Sequence, residues 1–166
     1  MAVATLPHKG IPGKGTILTL DLGTKTGWAI LIDGKVISGS QEWKKAGRTE
    51  SPGRPFARFR RWLDEVKTSN DIRTIYYEEV RRHLGTTAGQ VYGGYKFTLL
   101  SWADENAVEY ESVPVGSIKI HTTGKGNAGK SAMIAAMEAK GHKPMDDNEA
   151  DALAILYWVM DGELKP

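Results

Sequence analysis

The stretch TILTLDLGTKTGWAILI, residues 16–32, decides the fold. Two apolar runs, 16–21 and 26–32, flank a glycine-bearing turn, and the first run ends on a carboxylate, Asp21. A third run, KVISGS at 35–40, follows Asp33-Gly34. An Asp-Gly pair between two such runs signals a tight hairpin, because both turn residues need a positive φ. The chain therefore opens with two or three antiparallel strands.

Further along, the period changes. Phe56, Phe59, Leu63 and Val66 recur at helical spacing, while Arg58, Arg61 and Asp64 face elsewhere, which predicts a helix over 54–68. IRTIYYEEV at 72–80 reads as a strand. Residues 88–106 read as a helix with Gly93 and Gly94 in its middle. VEYESVPV at 108–115 alternates like a strand. An Ala- and Met-rich helix over 130–140 stops at Gly141, and a last helix spans 147–160. Strands alternating with helices after an opening hairpin imply an α/β or α+β sheet domain. Residues 1–15, rich in Gly, Pro and Lys, read as a flexible arm before one domain over 16–162.

Composition narrows the function classes. A chain of 166 residues suits one domain with a real core. No apolar run approaches the roughly 20 residues of a membrane span, and no charged-then-apolar leader opens the sequence. Cysteine is absent, which excludes disulfides, thiolate metal sites and cysteine nucleophiles. A reducing cytoplasm is the expected location. The net charge is only +2, but the basic residues cluster. Arg81, Arg82, His83 and Lys96 lie in one acid-free stretch; Lys119, His121, Lys125 and Lys130 lie in another. Local basic surface of this kind is what a polyanion needs.

Three acidic clusters carry the chemistry. Asp21 closes the first strand, Glu78 and Glu79 close a second apolar strand, and Asp146, Asp147 and Asp151 open the last helix. Carboxylates at neighbouring strand ends, completed by a helix start, form an oxygen-rich pocket suited to Mg²⁺. Two such ions about 3.5–4 Å apart activate water and stabilise the leaving oxygen in phosphodiester cleavage. Asp146 with Glu149 three residues later also fits a capping box, a purely structural role.

ILTLDLGTKTGWAIL, IYYEEV, IKIHTTGKGNAGKSAMIAAM and DDNEADALAILYW, in this order, resemble the successive motifs of the RuvC family of Holliday-junction resolvases. The resemblance runs from Thr16 to Val159. It implies an α/β, RNase H-like fold, with a five-stranded mixed sheet flanked by helices on both faces. It implies a homodimer that cuts a four-way DNA junction by paired symmetric nicks, leaving 5′-phosphate and 3′-hydroxyl ends, with Mg²⁺ as cofactor and Mn²⁺ as substitute. By motif position Asp21, Glu78 and Asp151 are the catalytic metal ligands, with Glu79 the weaker glutamate. Lys119 and Lys130 match lysines that serve the DNA or the cleavage step, and Arg81, Arg82 and Lys125 join them as DNA-binding residues.

Two positions depart from the family. The second acid expected three places before the final aspartate is Asn148, leaving either Asn148 or the neighbouring Asp147 to complete the metal set. An aromatic residue expected after the glutamate is replaced by Val80, Arg81, Arg82 and His83. Separately, GKGNAGKS at 124–131 matches a phosphate-binding P-loop pattern. Too little chain follows for a P-loop domain, so no nucleotide cofactor is expected. The alternatives to junction resolution are an RNase H-like nuclease acting on RNA or other branched DNA, and a junction-binding protein with weakened catalysis. The helix at 88–106, with Gly93, Gly94, Tyr92, Tyr95 and Trp102, is the expected dimer contact.

Overall fold

The computed structural model describes residues 2–4, 15–82 and 85–163. The elements, in chain order, are β1 (Ala2–Ala4), β2 (Thr16–Asp21), β3 (Lys25–Ile32), β4 (Lys35–Glu42), α1 (Arg54–Asn70), β5 (Ile72–Glu79), α2 (Thr86–Glu105), β6 (Glu109–Pro114), α3 (Val115–Thr123), α4 (Lys130–Ala139) and α5 (Asp147–Glu163). The sheet order is β1-β4-β3-β2-β5-β6. β2, β3 and β4 form an antiparallel meander, and β5 and β6 add in parallel. The five long strands give the mixed α/β sheet expected from the sequence. Of the opening arm, Ala2–Ala4 pair antiparallel with β4 as a short sixth strand; residues 5–14 and His83 lie outside the described residues.

The hairpin forms where expected. Asp33 and Gly34 both take positive φ (49° and 73°), the geometry of a two-residue turn whose twist matches the flanking strands. Strand alternation then builds two cores. Ile17, Ala29, Leu31, Val36, Tyr76 and Val113 face α3, α4 and α5. Leu18, Leu20, Ile30, Ile75 and Tyr77 face α1 and α2. Helices thus cover both faces, as a sheet buried on both sides requires.

α3 is the element that sequence reading missed. VGSIKIHTT is dense in β-branched residues, which lose rotamer freedom in a helix. Only Ile118 is fully buried along it, so the helix is held by tertiary packing and by Gly124, whose φ of +77° ends it.

α2 also differs from expectation. Tyr92, Tyr95 and Trp102 are not surface area for a partner: they are buried within this chain's own core beneath α1. A Cβ on Gly94 would stand 2.4 Å from the Phe56 ring, so that close approach belongs to α1. Among the described residues of α2, Phe97 is the large apolar side chain left exposed.

The docking of α5 fixes the functional end. A Cβ on Gly27 would fall 1.8 Å from the Asn148 carbonyl oxygen, so only glycine lets the first turn of α5 lie on β3. Ser38 and Ser40 of β4 donate to Glu149 and Asp146, each at 2.7 Å. Asp146 accepts from the Glu149 amide at 2.9 Å, and Glu149 accepts from the Met145 amide at 2.8 Å, so the capping-box pairing is realised in shifted form.

Gly27→Ala should cost about 1–3 kcal/mol or more, because backbone cannot move aside as a flexible side chain can. Gly162→Ala, whose Cβ meets nothing, should be neutral or stabilising by up to about 1 kcal/mol. Urea denaturation of both variants checks the contrast.

Candidate active site

One row of the sheet carries the site. Asp21 pairs with Gly27, and Gly27 with Ser40, across β2, β3 and β4. On the other side β2 pairs with β5, the last partners being Leu20 and Tyr77, which sets Glu78 beside Asp21. Strand parity decides which glutamate joins. Tyr76 faces α5, so Glu78, two residues on, faces it too. Glu79 points to the opposite face, where Lys96 of α2 holds it at 3.0 Å.

α5 supplies the rest. Asp147 and Asp151 are four residues apart and share one helix face. Both act on Asp21 through their charge. Asp21, Glu78, Asp147 and Asp151 are therefore brought together, as the sequence suggested. Asn148 is fixed through its backbone carbonyl against Gly27. Asp147, rather than Asn148, is the residue that adds charge to the cluster.

The cluster is electrostatically loaded. Burial, then the charges of Glu78 and Asp151, push the Asp21 carboxyl well above the carboxylate range. Burial also raises Glu78, while the hydrogen bond from Asp21 and the charge of Lys119 pull it back. Asp21 and Glu78 therefore hold a proton as a pair above the ordinary carboxylate range. Asp151 is pushed up to about 7 by burial and by Glu78 and Asp147, against Lys119 and Lys130. Crowded carboxylates must take protons or cations.

Two ammonium groups face the acids. Lys130, the first residue of α4, stands 2.6 Å from Asp147 and is itself mostly exposed. Lys119 on α3 lines a small cleft with Glu78 and Asp151. Lys125 is exposed in the glycine-rich turn between them, and Arg81 and Arg82 are exposed just past β5. The glycine-rich turn joins helix α3 to helix α4, whereas a nucleotide-binding P-loop joins a strand to a helix. His121 lies off the cleft, paired with Asp161 at 2.7 Å.

The donor set suits a hard divalent cation: carboxylate oxygens from three elements. Among the described residues no three acidic or histidine side chains already surround a single point at ligand distance. The donors are gathered rather than closed into a shell, which fits an ion that keeps several of its waters.

Sequence reading missed the supports of this cluster. Tyr92 of α2 donates from its hydroxyl to the Glu78 carbonyl at 2.7 Å and accepts from the Val80 amide at 3.3 Å, tying down the strand end. Lys25 holds Asp146 at 2.6 Å. The strand parity of Ser38 and Ser40 was the available signal for the α5 docking; nothing in the local sequence pointed to Tyr92.

The raised carboxyls give a pH signature. An acid whose pKa is higher folded than unfolded keeps its proton longer in the fold. Its destabilising effect begins as pH rises past the usual 3.8 and levels off, for Asp151, above about 7. In EDTA, stability to urea should therefore fall between pH 5 and 7, and Asp151→Asn should flatten that fall. Asp21→Asn should raise the melting temperature of the metal-free protein at pH 8, by about 2–4 °C for each kcal/mol of repulsion relieved. Unchanged melting in both variants would contradict the loaded cluster.

No family model and no curated protein matches the sequence. Solved structures do. A T. thermophilus RuvC in complex with a Holliday junction substrate superposes with a TM-score of 0.73 at 19% identity, over 92% of this chain and 99% of that one. A second Thermus thermophilus RuvC structure gives 0.67 at 22% identity, over 91% and 99%. The yeast mitochondrial Holliday junction resolvase Ydc2 gives 0.64 at 14% identity, over 93% and 81%. The architecture of this chain, from the opening meander to the last helix, is the fold of these RuvC structures.

Proposed function

We propose that this protein is a magnesium-dependent endonuclease that resolves four-way DNA junctions by paired symmetric nicks, leaving 5′-phosphate and 3′-hydroxyl ends. The observation that carries the reading is the convergence of Asp21, Glu78 and Asp151 on one sheet edge, under Lys119 and Lys130, in a fold shared with resolvases. Asp147 completes the acidic set on this reading, and Asn148 serves through its backbone.

Bound Mg²⁺, or Mn²⁺ in its place, would activate water and stabilise the leaving oxygen. The chain's own residues prepare that event. Asp21, Glu78 and Asp151 hold cations by oxygens that repel one another without them. Tyr92 keeps the Glu78 backbone in place. Lys130 can exchange its contact with Asp147 for a phosphate oxygen, and Lys119 offers a second positive charge as negative charge grows on the oxygens around phosphorus. Arg81, Arg82 and Lys125 contact flanking phosphates. Two nicks need two such centres, so the working form is a homodimer whose two-fold axis matches that of the opened junction.

The decisive experiment compares cleavage of synthetic four-way junction, flap, duplex and RNA–DNA hybrid, in Mg²⁺ and in EDTA. Junction cutting should dominate and require the metal. Asp21→Asn, Glu78→Gln and Asp151→Asn should each lower the rate by about a thousandfold or more while junction affinity persists. Asp147→Asn should raise the Mg²⁺ concentration for half-maximal rate. A hybrid-preferring enzyme, or an Asp21→Asn variant cutting at the parental rate, would overturn the reading.

Binding should weaken steeply with salt, and Lys125→Ala should reduce the slope of log affinity against log salt by about 1. Sedimentation should give a dimer at micromolar concentration; a strict monomer would argue for single-strand nicking instead.

A further inference from the structure

The segment that leads from β4 into α1, WKKAGRTESPGRPFARFRRW at 43–62, carries seven Lys or Arg residues and one acid, Glu50. Glu50 is spent on the fold. Arg58 donates from one guanidinium nitrogen to the Glu50 carboxylate and from another to the Lys44 carbonyl at 2.9 Å, and the Gly47 amide donates to Glu50 at 2.9 Å. Trp43 fastens the start of the loop: its amide donates to the Thr24 carbonyl at 2.8 Å and its indole to the Thr26 hydroxyl at 2.9 Å. Arg60 is taken by Glu105. Lys44, Lys45, Arg48 and Arg54 are left exposed, and among the described residues none of the four has an ion-pair partner. The cleavage scheme gives these four cations no task.

Register places the segment. Asp21 pairs with Gly27 and Gly27 with Ser40, and β4 ends two residues later at Glu42, opposite Lys25. The loop therefore leaves the sheet at the end that carries the carboxylates, on the flank away from β5. β4 lies two strands from β2, about 10 Å at the usual strand spacing. Chemistry then selects the ligand. Uncompensated cations held together on a fastened loop suit a polyanion. Proteins that bind single strands stack the bases on exposed rings, but Trp43 is buried against Phe59, with ring centroids 5.4 Å apart, and offers no such surface. A duplex needs no ring. Its phosphates recur about every 3.4 Å of axis along each strand, so an arm with one phosphate at the carboxylates brings another to this loop about three base pairs away.

We propose that the segment between β4 and α1 grips the phosphate backbone of one duplex arm of the branched substrate, through Lys44, Lys45, Arg48 and Arg54. The proposal deepens the nuclease reading and rests on it for the choice of DNA as the polyanion. Arg81 and Arg82 stand past β5 and these four past β4, so cations flank the carboxylates on both sides. A duplex held at two separated places has its angle fixed as well as its position. The grip reads no sequence, because phosphate contacts position the duplex and carry no base information. Arg58, Glu50 and Trp43 order the loop in advance, so binding does not have to supply that ordering.

The test uses the whole protein and a four-way junction in EDTA, so that binding is read apart from cutting. The combined variant Lys44→Ala/Lys45→Ala/Arg48→Ala should lower the slope of log affinity against log salt by about 2–3. Lys35→Ala, exposed at the opposite end of the sheet, should leave the slope unchanged. Charge-neutral methylphosphonate linkages, placed one at a time along the arms, locate the contact. With the parent protein, a neutral linkage about three base pairs from the mapped cut should weaken binding. With the triple variant that position should fall silent, while sensitive linkages elsewhere keep their effect. Lys45→Ala/Arg48→Ala serves if the triple variant melts early, with a fall in slope of about 1–2. An unchanged slope, an unchanged linkage pattern, or an equal fall per charge from Lys35→Ala overturns the grip; if the junction is cut in magnesium, the nuclease reading still stands. A junction gripped through this segment but left uncut in magnesium overturns the nuclease reading and leaves the grip.

Discussion

The first turn of α5 rests on the bare backbone of Gly27, and the placing of the two acids that α5 brings to the cluster follows from that contact. A side chain there would lift the helix away from β3. With the helix seated, Asp147 and Asp151 reach Asp21 and Glu78 on the neighbouring strands. The seat is made without using those acids. Ser38, Ser40 and Lys25 hold Glu149 and Asp146 instead, so the acids that seat α5 alternate with the two that face Asp21. Each such hydrogen bond contributes on the order of 1 kcal/mol, and together they offset repulsion that would otherwise push the helix start off the sheet edge.

The same division, between acids held by a cation and acids turned to the cluster, recurs at the end of β5. Glu78 and Glu79 are adjacent and chemically identical, yet a period of two sends them to opposite faces. Glu79 meets Lys96 and is held ionised below the usual range by that contact and by Ser112. Glu78 meets Asp21 and is raised by burial. Tyr92 serves both by gripping the backbone on either side of Glu79. The phenol is pushed up to about 12, chiefly by burial, so it stays protonated and can keep donating to the Glu78 carbonyl.

Much of this was legible in the sequence because it rests on local pattern. The meander is announced by apolar runs and an Asp-Gly turn, and the acids announce themselves by closing strands and opening a helix. What was not legible depends on contacts distant in sequence. Tyr92, Tyr95 and Trp102 look like interface aromatics until the side of α2 that packs on the sheet is known. Gly94 signals a close approach but not by whom, and the partner is Phe56. α3 is hidden because its β-branched residues favour a strand in isolation, and its helicity comes from packing against α5 and α4. That Asp147 brings its charge to Asp21 depends on the helix rotation, which Gly27 sets through a backbone contact that leaves no trace in side-chain pattern.

Charge orders events on the proposed reading. Asp21, Glu78, Asp147 and Asp151 outnumber Lys119 and Lys130, so a fully ionised cluster carries a net negative charge that repels a phosphate. Protonation removes part of that charge; burial first, and the neighbouring carboxylates second, raise Asp21 and Asp151 above the ordinary range. Divalent cations remove it more completely and displace those protons, so cation affinity should strengthen as pH rises through the range where Asp151 titrates. Only then does the cleft become attractive to DNA, and Lys130 becomes free to leave Asp147 for a phosphate oxygen. The outlying Arg81, Arg82 and Lys125 are under no such constraint, because none of them acts on those four acids as Lys119 and Lys130 do. They can hold the junction by its backbone while the cleft is still negative, which separates binding from cutting within one small domain.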